Sequence, residues 1–269
     1  MNLERAQVTF TSSECKRLIG KAVAQLEVVK NARTNGMIFL ATSTTNAFVV
    51  EELLGLKIEE KGMFTAGVTV PQGPCTTSNA KRMALNYKHL VIERGKIVDR
   101  VGYADIPKVL EKFGGDDVFI KGANAVDPWG VAGIWLGGPP GGTIGYAIGT
   151  IMAKGIPLVV PVGLEKLVPY SIEDVVTRAG VSTISKSVGW PVGIMPVHGT
   201  IVTEIEAFEI LSGVEAIPIG GGGIGGAEGS RTFIVEGEPD AISKAWQISK
   251  SIKGEPALFA EVEGVKIVE

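Results

Sequence analysis

The 269-residue chain is poor in the residues that build metal sites and disulfide bridges. It contains two cysteines, Cys15 and Cys75, and two histidines, His89 and His198, all far apart in the sequence. A zinc site draws on clustered cysteine and histidine ligands at characteristic spacings. We therefore predict no metal site, and we expect no cofactor.

Long apolar runs and an excess of one charge are also missing. Although 45% of the residues are hydrophobic, no run reaches the ~18 residues of a membrane-spanning helix. The first ten residues carry charges where a signal peptide needs an apolar region. The net charge of -3 is spread along the chain and indicates no nucleic-acid partner. We expect a soluble, cytoplasmic protein that acts neither on membranes nor on nucleic acids.

Strands alternate with helices through the first two thirds of the chain. Strands are predicted at residues 37–41, 64–70, 89–93, 118–120 and 156–162, and helices at residues 12–30, 47–54 and 107–113 and from residue 143 onward. The alternation predicts an α/β fold with a Rossmann-like, mainly parallel sheet and helices on both faces. We assign this domain to residues 1–185.

The pattern changes in the last third of the chain. It predicts a strand at 192–197, a helix at 201–211, strands at 214–219 and 231–236, a helix at 240–252 and a strand at 257–262. That order is the split β-α-β pattern of a ferredoxin-like α+β unit. We assign a second domain to residues 186–269.

Glycine is abundant, with 36 residues, and three loops hold most of the candidate site. In an open α/β sheet, ligands bind at the carboxyl ends of the strands. The first such turn, residues 42–46, offers Ser43, Thr44, Thr45 and Asn46 at a strand-to-helix junction, where free N–H groups favour an anion. A simple helix cap is the alternative, although a cap needs only one of these residues.

The second and third polar segments lie between residues 116 and 162. Lys121, Gly122, Asn124 and Asp127 follow a buried strand, and a glycine-rich loop then opens a helix. Lys121 either holds an anion or, if desolvated, acts as a base or Schiff-base nucleophile, and Asp127 is either catalytic or a turn former. The loop lets the backbone approach a ligand closely; its candidate ligand-binding residues are Gly137, Gly138, Gly141, Gly142 and Thr143.

Residues 220–229 form another glycine-rich segment, between two predicted strands. Gly221 and Gly222 are candidate ligand-binding residues in a nest of N–H groups. Glu228 is a candidate base or acyl acceptor, and Arg231 a candidate anion clamp. A mobile hairpin loop is the alternative.

The remaining candidates are isolated side chains. His198 follows a predicted strand and either reaches the site as a catalytic group or caps the next helix. Cys75 has no histidine near it in sequence, which favours a bystander thiol over a nucleophile.

These segments resemble a superfamily that includes ribose-5-phosphate isomerase, CoA transferases and initiation-factor-2B-like isomerases. CKRLIGKAVAQL and GMIFLATSTTNAFVVEELLG are similar to the opening of the isomerase with its phosphate-binding turn. KGANAVD and LGGPPGG are similar to its paired site motifs, in the same order. The resemblance spans most of the chain, and GGTIGYAIGTIMAKGIPLVVPV is also similar to the initiation-factor-like members.

The chain departs from that pattern at the acids. Lys121, Asn124 and Ala125 stand where the isomerase has acidic residues, Trp135-Leu136 replace its lysine, and Thr143 to Tyr146 supply no base. The resemblance therefore implies a divergent member that binds a phosphorylated sugar or a CoA-linked acid, with isomerization or acyl transfer as the activity if it is an enzyme. The alternative is a non-catalytic metabolite sensor or assembly protein. Superfamily members commonly form dimers or tetramers, which implies a homo-oligomer.

Overall fold

The computed structural model describes residues 3–265 and 267–268. The strands are β1 (Glu4–Phe10), β2 (Met37–Leu40), β3 (Gly67–Val70), β4 (Gly73–Thr77), β5 (His89–Glu93), β6 (Lys96–Val101), β7 (Val118–Ile120), β8 (Ala125–Val126), β9 (Ala132–Leu136), β10 (Leu158–Pro161), β11 (Ser187–Val188), β12 (Gly193–Val197), β13 (Thr200–Val202), β14 (Glu215–Gly221), β15 (Arg231–Gly237), β16 (Val262–Glu263) and β17 (Ile267–Val268). The helices are α1 (Ser12–Val23), α2 (Glu27–Asn35), α3 (Thr44–Leu54), α4 (Asn79–Ala84), α5 (Ile106–Leu110), α6 (Gly142–Lys154), α7 (Ile172–Val175), α8 (Glu204–Ser212) and α9 (Pro239–Ile252). In the part of the chain so described, no helix is both long enough and apolar enough to cross a membrane.

The fold is mixed α/β, built around a six-stranded sheet with the order β13-β10-β7-β2-β5-β6. The first four strands are parallel to one another, and β5 and β6 add two antiparallel strands at one side. The parallel part explains the continuous apolar runs of the central strands, which are buried on both faces. The carboxyl ends of β2, β7, β10 and β13 therefore meet at one edge.

Helices cover both faces of this sheet, as the alternation of strands and helices predicts. Ile38 and Leu40 of β2 point into a core shared with α1, α2 and α3. Phe39, between them, points into a core shared with α5 and α6. The Phe39 ring stacks on that of Phe119, with the centroids 4.5 Å apart. Successive strand residues thus serve opposite faces.

A second, antiparallel sheet has the order β1-β15-β14, and α8 and α9 pack against it. Its apolar face contributes Phe10 and Phe233, and α8 contributes Phe208, to the core that lies under α1. The ring centroid of Phe208 lies 6.0 Å from that of Phe10 and 5.8 Å from that of Phe233. The N-terminal strand thus completes a sheet made otherwise from the C-terminal third.

This pairing differs from the strand set predicted for the ferredoxin-like unit. Residues 214–219 and 231–236 do pair as β14 and β15. Residues 193–197 instead form β12, which pairs with β9 in a separate sheet with β8. Of residues 257–262, only the last is in a strand, and that strand, β16, pairs with β4. The strands at 192–197 and 257–262 were placed in the wrong sheet because sequence order alone does not reveal partners. The domain division at residues 185 and 186 stays a prediction.

The helix predicted at residues 12–30 is two helices, because α1 ends at Val23 and α2 begins at Glu27. The N-cap of α1 is Thr11. The Thr11 hydroxyl accepts the N–H of Glu14, and the Glu14 carboxylate accepts the N–H of Thr11. This reciprocal pair is a capping box, and it fixes the start of α1 at Ser12, as predicted.

Candidate functional site

A cavity of about 480 Å³ lies at the carboxyl edge of the central sheet. Its lining includes Thr42, Ser43, Thr44, Thr65, Ala66, Gly67, Val68, Thr69, Pro74, Cys75, Thr76, Tyr103, Lys121, Gly122, Ala123, Asn124, Ile134, Trp135, Gly137, Gly138, Pro139, Pro140, Gly141, Gly142, Thr143, Ile144, Tyr146, Lys166, Trp190 and Val192. The turn after β2, the turn after β7 and the glycine-rich loop before α6 thus face one space. Its size is typical of a small-molecule site.

The turn after β2 divides its polar residues between the cavity and the fold. Ser43 and Thr44 line the cavity, while Thr45 and Asn46 are buried beneath it. Ser43 is also the N-cap of α3, where its hydroxyl accepts the N–H of Asn46 at 3.0 Å. The Asn46 amide donates to the carbonyl oxygens of Ala41 and Ile120, at 2.7 and 3.3 Å. Ser43 therefore serves both as the helix cap and as a cavity residue, Thr44 lines the cavity, and Asn46 supports the fold beneath them.

The glycine-rich loop ends at the N-terminus of α6, with Gly141 and Thr143 on the cavity wall. Gly141 has φ +98°, a conformation that favours glycine because it carries no Cβ atom. Within the described residues, no side chain caps this end of α6. The first N–H groups of a helix have no partner inside it, and the helix dipole makes them attractive to an anion.

Two lysines lie in the cavity wall, each just past a parallel strand. Lys121 Nζ donates to the Gly122 carbonyl oxygen at 2.8 Å, and Lys166 Nζ donates to the Ala123 carbonyl oxygen at 2.9 Å. Among the described residues, neither ammonium forms an ion pair with a carboxylate. Each lysine is thus held toward the cavity by a main-chain oxygen alone.

Their surroundings lower the pKa of both ammonium groups. Burial, followed by the nearby charge of Lys166, lowers the pKa of Lys121 to about 8. Burial and the charge of Lys16 lower the pKa of Lys166 to about 8, against the opposing effect of Glu165 and Glu204. Both side chains are therefore cationic at neutral pH, with protons that are unusually easy to remove.

His89, the first residue of β5, lies beneath the cavity and orients two of its hydroxyl-bearing residues. Its Nδ1 accepts the main-chain N–H of Thr42 at 3.0 Å, and its Nε2 lies 3.2 Å from Thr143 Oγ1. Burial, then the charges of Lys121 and Arg82, lowers the pKa of His89 to about 3. The neutral ring must carry its proton on Nε2, because Nδ1 is an acceptor. Thr143 therefore accepts from His89 and keeps its own proton for an acceptor in the cavity.

Aromatic side chains form much of the remaining wall. Tyr103, Trp135, Tyr146 and Trp190 line the cavity, which is half of the tyrosines and half of the tryptophans in the chain. The Tyr103 ring meets the His89 ring edge to face, with centroids 5.2 Å apart. The cavity thus combines polar groups at the sheet edge with apolar rings opposite, as is common for sites that bind organic molecules.

The cavity brings together most of the predicted site residues: Ser43, Thr44, Lys121, Gly122, Asn124 and the loop from Gly137 to Thr143. Asn124 is tied to the wall as well, because its Oδ1 accepts the N–H of Trp135 at 3.0 Å. These residues come from three separate turns, and the sheet brings those turns to one edge.

Asp127 is buried outside the cavity lining, where it organises the chain around it. Its Oδ1 accepts the N–H groups of Trp129 and Val131, at 3.0 and 2.9 Å, and its Oδ2 accepts the N–H of Ile172 at 3.0 Å. All three contacts are to the main chain, which is the behaviour of a turn former. The structure does not bring this carboxylate to the site.

The residues predicted to approach from the C-terminal unit also lie outside the lining. Glu228 is exposed, and its carboxylate accepts the N–H of Gly226 at 2.9 Å. The Arg231 guanidinium donates hydrogen bonds to the carbonyl oxygens of Leu164 and Ser230. Exposed His198 has Nε2 3.2 Å from a Glu173 oxygen.

Gly221 and Gly222 are exposed at the end of β14, away from the lining. The N–H of Gly222 donates to the Ser230 carbonyl oxygen at 3.0 Å, which closes a hairpin between β14 and β15. The hairpin interpretation of residues 220–229 is the one that this geometry favours.

Sequence reasoning did not identify Lys166, His89 or the aromatic wall as parts of the site. Lys166 had a weaker signal than Lys121: it lies in the loop after the buried strand β10, and parallel neighbours such as β7 and β10 end at one edge. His89 had none, since it begins an antiparallel strand and reaches the edge only through its pairing with β2.

No family model matches the chain, and no curated protein matches it significantly in sequence. The arguments for function therefore rest on the site itself.

Proposed function

We propose that the chain binds a small anionic metabolite in this cavity, with a phosphate or carboxylate as its anionic group. The observation that carries the proposal is the charge of the lining: Lys121 and Lys166 are its only charged side chains, and no aspartate or glutamate is among the described residues that line it. Two partly buried cations that form no ion pair within the described residues are costly to keep in a protein. A bound anion supplies the missing charge.

The neighbouring polar groups support the same ligand class. The N-termini of α3 and α6 both end at the cavity, and Thr143 has a hydroxyl proton to donate. Ser43 and Thr44 add further hydroxyls. Phosphate and carboxylate oxygens accept hydrogen bonds from all of these groups. A phosphorylated sugar or a CoA-linked acid fits this set, and the aromatic wall would contact the rest of the molecule.

If the protein is an enzyme, we propose isomerization or acyl transfer. The chemistry must then use groups other than a carboxylate, because the lining offers lysine, tyrosine, cysteine and hydroxyl groups. Isomerization through an enediol needs a base within reach of the substrate. A lysine of lowered pKa is the available candidate.

The lack of a lining carboxylate equally favours a second function, a metabolite sensor or assembly protein that binds without turnover. We also propose, from the sequence motifs, that the chain is a divergent member of the ribose-5-phosphate isomerase and CoA transferase superfamily. A Rossmann-like central sheet, a ferredoxin-like origin for the C-terminal unit and a homo-oligomeric state belong to that proposal. The chain lacks the acidic residues of the isomerase pattern but keeps a cationic cavity. This agrees with a protein that has kept ligand binding and lost catalysis.

The test is ligand-induced thermal stabilisation of the full chain, screened with sugar phosphates, nucleotides and CoA esters. We expect at least one compound to raise the melting temperature, and we expect Lys121→Met to abolish that shift. Lys244→Met, which changes an exposed lysine on α9, is the matched control. An unchanged shift in Lys121→Met would contradict the placement of the site. Turnover of the hit identifies an enzyme, and binding without turnover identifies a sensor.

A further inference from the structure

The two cavity lysines differ in the charges around them. The charge of Lys166 opposes protonation of Lys121. Lys166 has two carboxylates nearby, Glu165 and Glu204, which favour its protonated form. Lys121, which has no carboxylate among the charges that act on it, is the candidate nucleophile, and Lys166, beside two carboxylates, is the candidate fixed cation.

We propose that Lys121 forms an imine with an anionic aldehyde or ketone bound in the cavity, an inference that rests on the proposed anion site. Lys121 lies in the cavity wall, its Nζ is held by one main-chain oxygen, and no carboxylate of the described residues forms an ion pair with it. An unprotonated, partly desolvated amine of this kind is the nucleophile in imine-forming sites.

The step balances without any further reactant. The Lys121 nitrogen adds to the carbonyl carbon, the C=O double bond opens, and a proton moves from nitrogen to oxygen to give a carbinolamine. Loss of water then breaks the C–O bond, forms the C=N bond and releases the carbonyl oxygen. One amine and one carbonyl thus give one imine and one water, with no change in oxidation state.

The rest of the site fits the anionic part of such a ligand. Lys166 and the N-terminus of α6 provide positive charge in the lining of the same cavity as Lys121. The Thr143 hydroxyl, which accepts from His89, donates its proton outward. An anion held by these groups would fix the carbonyl of the same molecule beside Lys121, which converts a bimolecular addition into an intramolecular one.

Reductive trapping tests the inference. The full chain is incubated near pH 8 with sodium cyanoborohydride and either pyruvate or glyceraldehyde 3-phosphate, and the modified lysines are identified by peptide mass mapping. An amine with a pKa near 8 is unprotonated in a roughly hundredfold larger fraction of molecules than an ordinary lysine at that pH. We expect at least about tenfold faster labelling of Lys121 than of exposed Lys244. Labelling by pyruvate alone assigns a carboxylate ligand, and labelling by the sugar phosphate alone assigns a phosphate.

Two controls separate this inference from the anion site. Sulfate should slow the labelling of Lys121 and leave that of Lys244 unchanged, and Lys121→Arg should lose the fast adduct only. Labelling of Lys121 at the rate of Lys244, or a preference for Lys166, would overturn the imine. If sulfate stabilises the wild-type chain while Lys121 gives no fast adduct, only the imine fails. If sulfate gives neither stabilisation nor protection, the anion site fails with it.

Discussion

The Nε2 atom of His89 lies 3.2 Å from the Oγ1 atom of Thr143, and this contact sets the direction of the Thr143 hydroxyl. His89 is 4% exposed, so bulk solvent scarcely reaches a second proton on its ring. The main-chain N–H of Thr42 donates a hydrogen bond to the Nδ1 atom of His89. The buried His89 ring has a fixed tautomer and lies directly beneath the cavity lining. It thus orients the Thr143 hydroxyl, a donor at the N-terminus of α6.

Acidification should therefore destabilise the protein through His89. The folded pKa of His89, about 3, lies below the ordinary value of 6.5, so the unfolded chain binds a proton first and the stability is lost as pH falls from 6.5 toward 3. Between pH 6.5 and 4.5 this amounts to about 2 kcal/mol. Denaturant unfolding at a series of pH values measures it.

His89→Gln should flatten that part of the pH profile, because an amide can accept and donate without titrating. Glu14 and Glu51 have a pKa lowered from 4.5, despite their burial, through hydrogen bonds and nearby lysine and arginine charges. Their lowered pKa values place their effect below pH 4.5, whereas burial raises the pKa of Glu204, which therefore also contributes above pH 4.5. That contribution is shared by the wild type and His89→Gln, so the difference between the two profiles reports His89. His198→Gln alters the other, exposed histidine and serves as the control. A wild-type slope in His89→Gln would refute the assignment.

Anion affinity should fall as pH rises through about 8. Lys121 and Lys166 carry charge below that pH and lose it above. The groups that face them are each other, His89, Lys16, Glu165 and Glu204. Sulfate is the suitable probe because its own charge does not change in this range. Titration calorimetry should give weaker binding at high pH, and the Lys121→Met and Lys166→Met double variant should show little binding at any pH. An affinity that rises with pH would contradict the lysine site.

Two glycines of α6 should respond in opposite ways to alanine. A Cβ atom at Gly145 would overlap the carbonyl oxygen of Pro140, so Gly145→Ala must displace the glycine-rich loop and weaken ligand binding. Gly149 has nothing within 4 Å of such an atom, and Gly149→Ala should stabilise the chain by up to about 1 kcal/mol through helix propensity. Thermal unfolding and sulfate binding of the pair distinguish the effects. Equal behaviour of the two variants would argue against close loop-to-helix packing.

Asp127→Asn should destabilise the fold without acting on the site. The variant replaces a carboxylate oxygen that accepts a main-chain N–H with a group that cannot accept one, at a cost of about 1–3 kcal/mol. Asp116→Asn changes an exposed carboxylate and should cost little. Sulfate affinity, measured below the unfolding transition, should stay at the wild-type value in both. Loss of affinity in Asp127→Asn alone would restore a role for this residue in the site.

Local patterns predict four strands of the central sheet, β2, β5, β7 and β10, and three loops of the cavity. The edge strand β13 was predicted wrongly, because residues 201 and 202 were assigned to the start of a helix. Strand 118–120 is predicted with its observed bounds, and polar turns after buried strands identify Lys121 and Ser43. These signals are local because parallel strands need only length, apolar side chains and a polar turn at the end.

Long-range pairing is where sequence reasoning stops. The Glu4–Phe10 segment buries only Val8 and Phe10, so its alternation is too weak to mark a strand before its partner is known. His89 reaches the cavity through pairing between β2 and β5. Glu228 and Arg231 were predicted at the site because they lie in or beside a glycine-rich loop. In sequence, a glycine-rich loop that faces a ligand looks the same as one that closes a hairpin.

The pairing of β1 with β15 joins residues 231 positions apart in the chain, as in the contact between Arg5 and Glu236. A ribosome adds 5–20 residues per second, so β1 waits roughly 10–50 seconds before its partner is made. Throughout that interval Val8 and Phe10 have no sheet to join. Synthesis that stalls before residue 231 therefore leaves an uncovered apolar strand, a state that chaperones and proteases recognise.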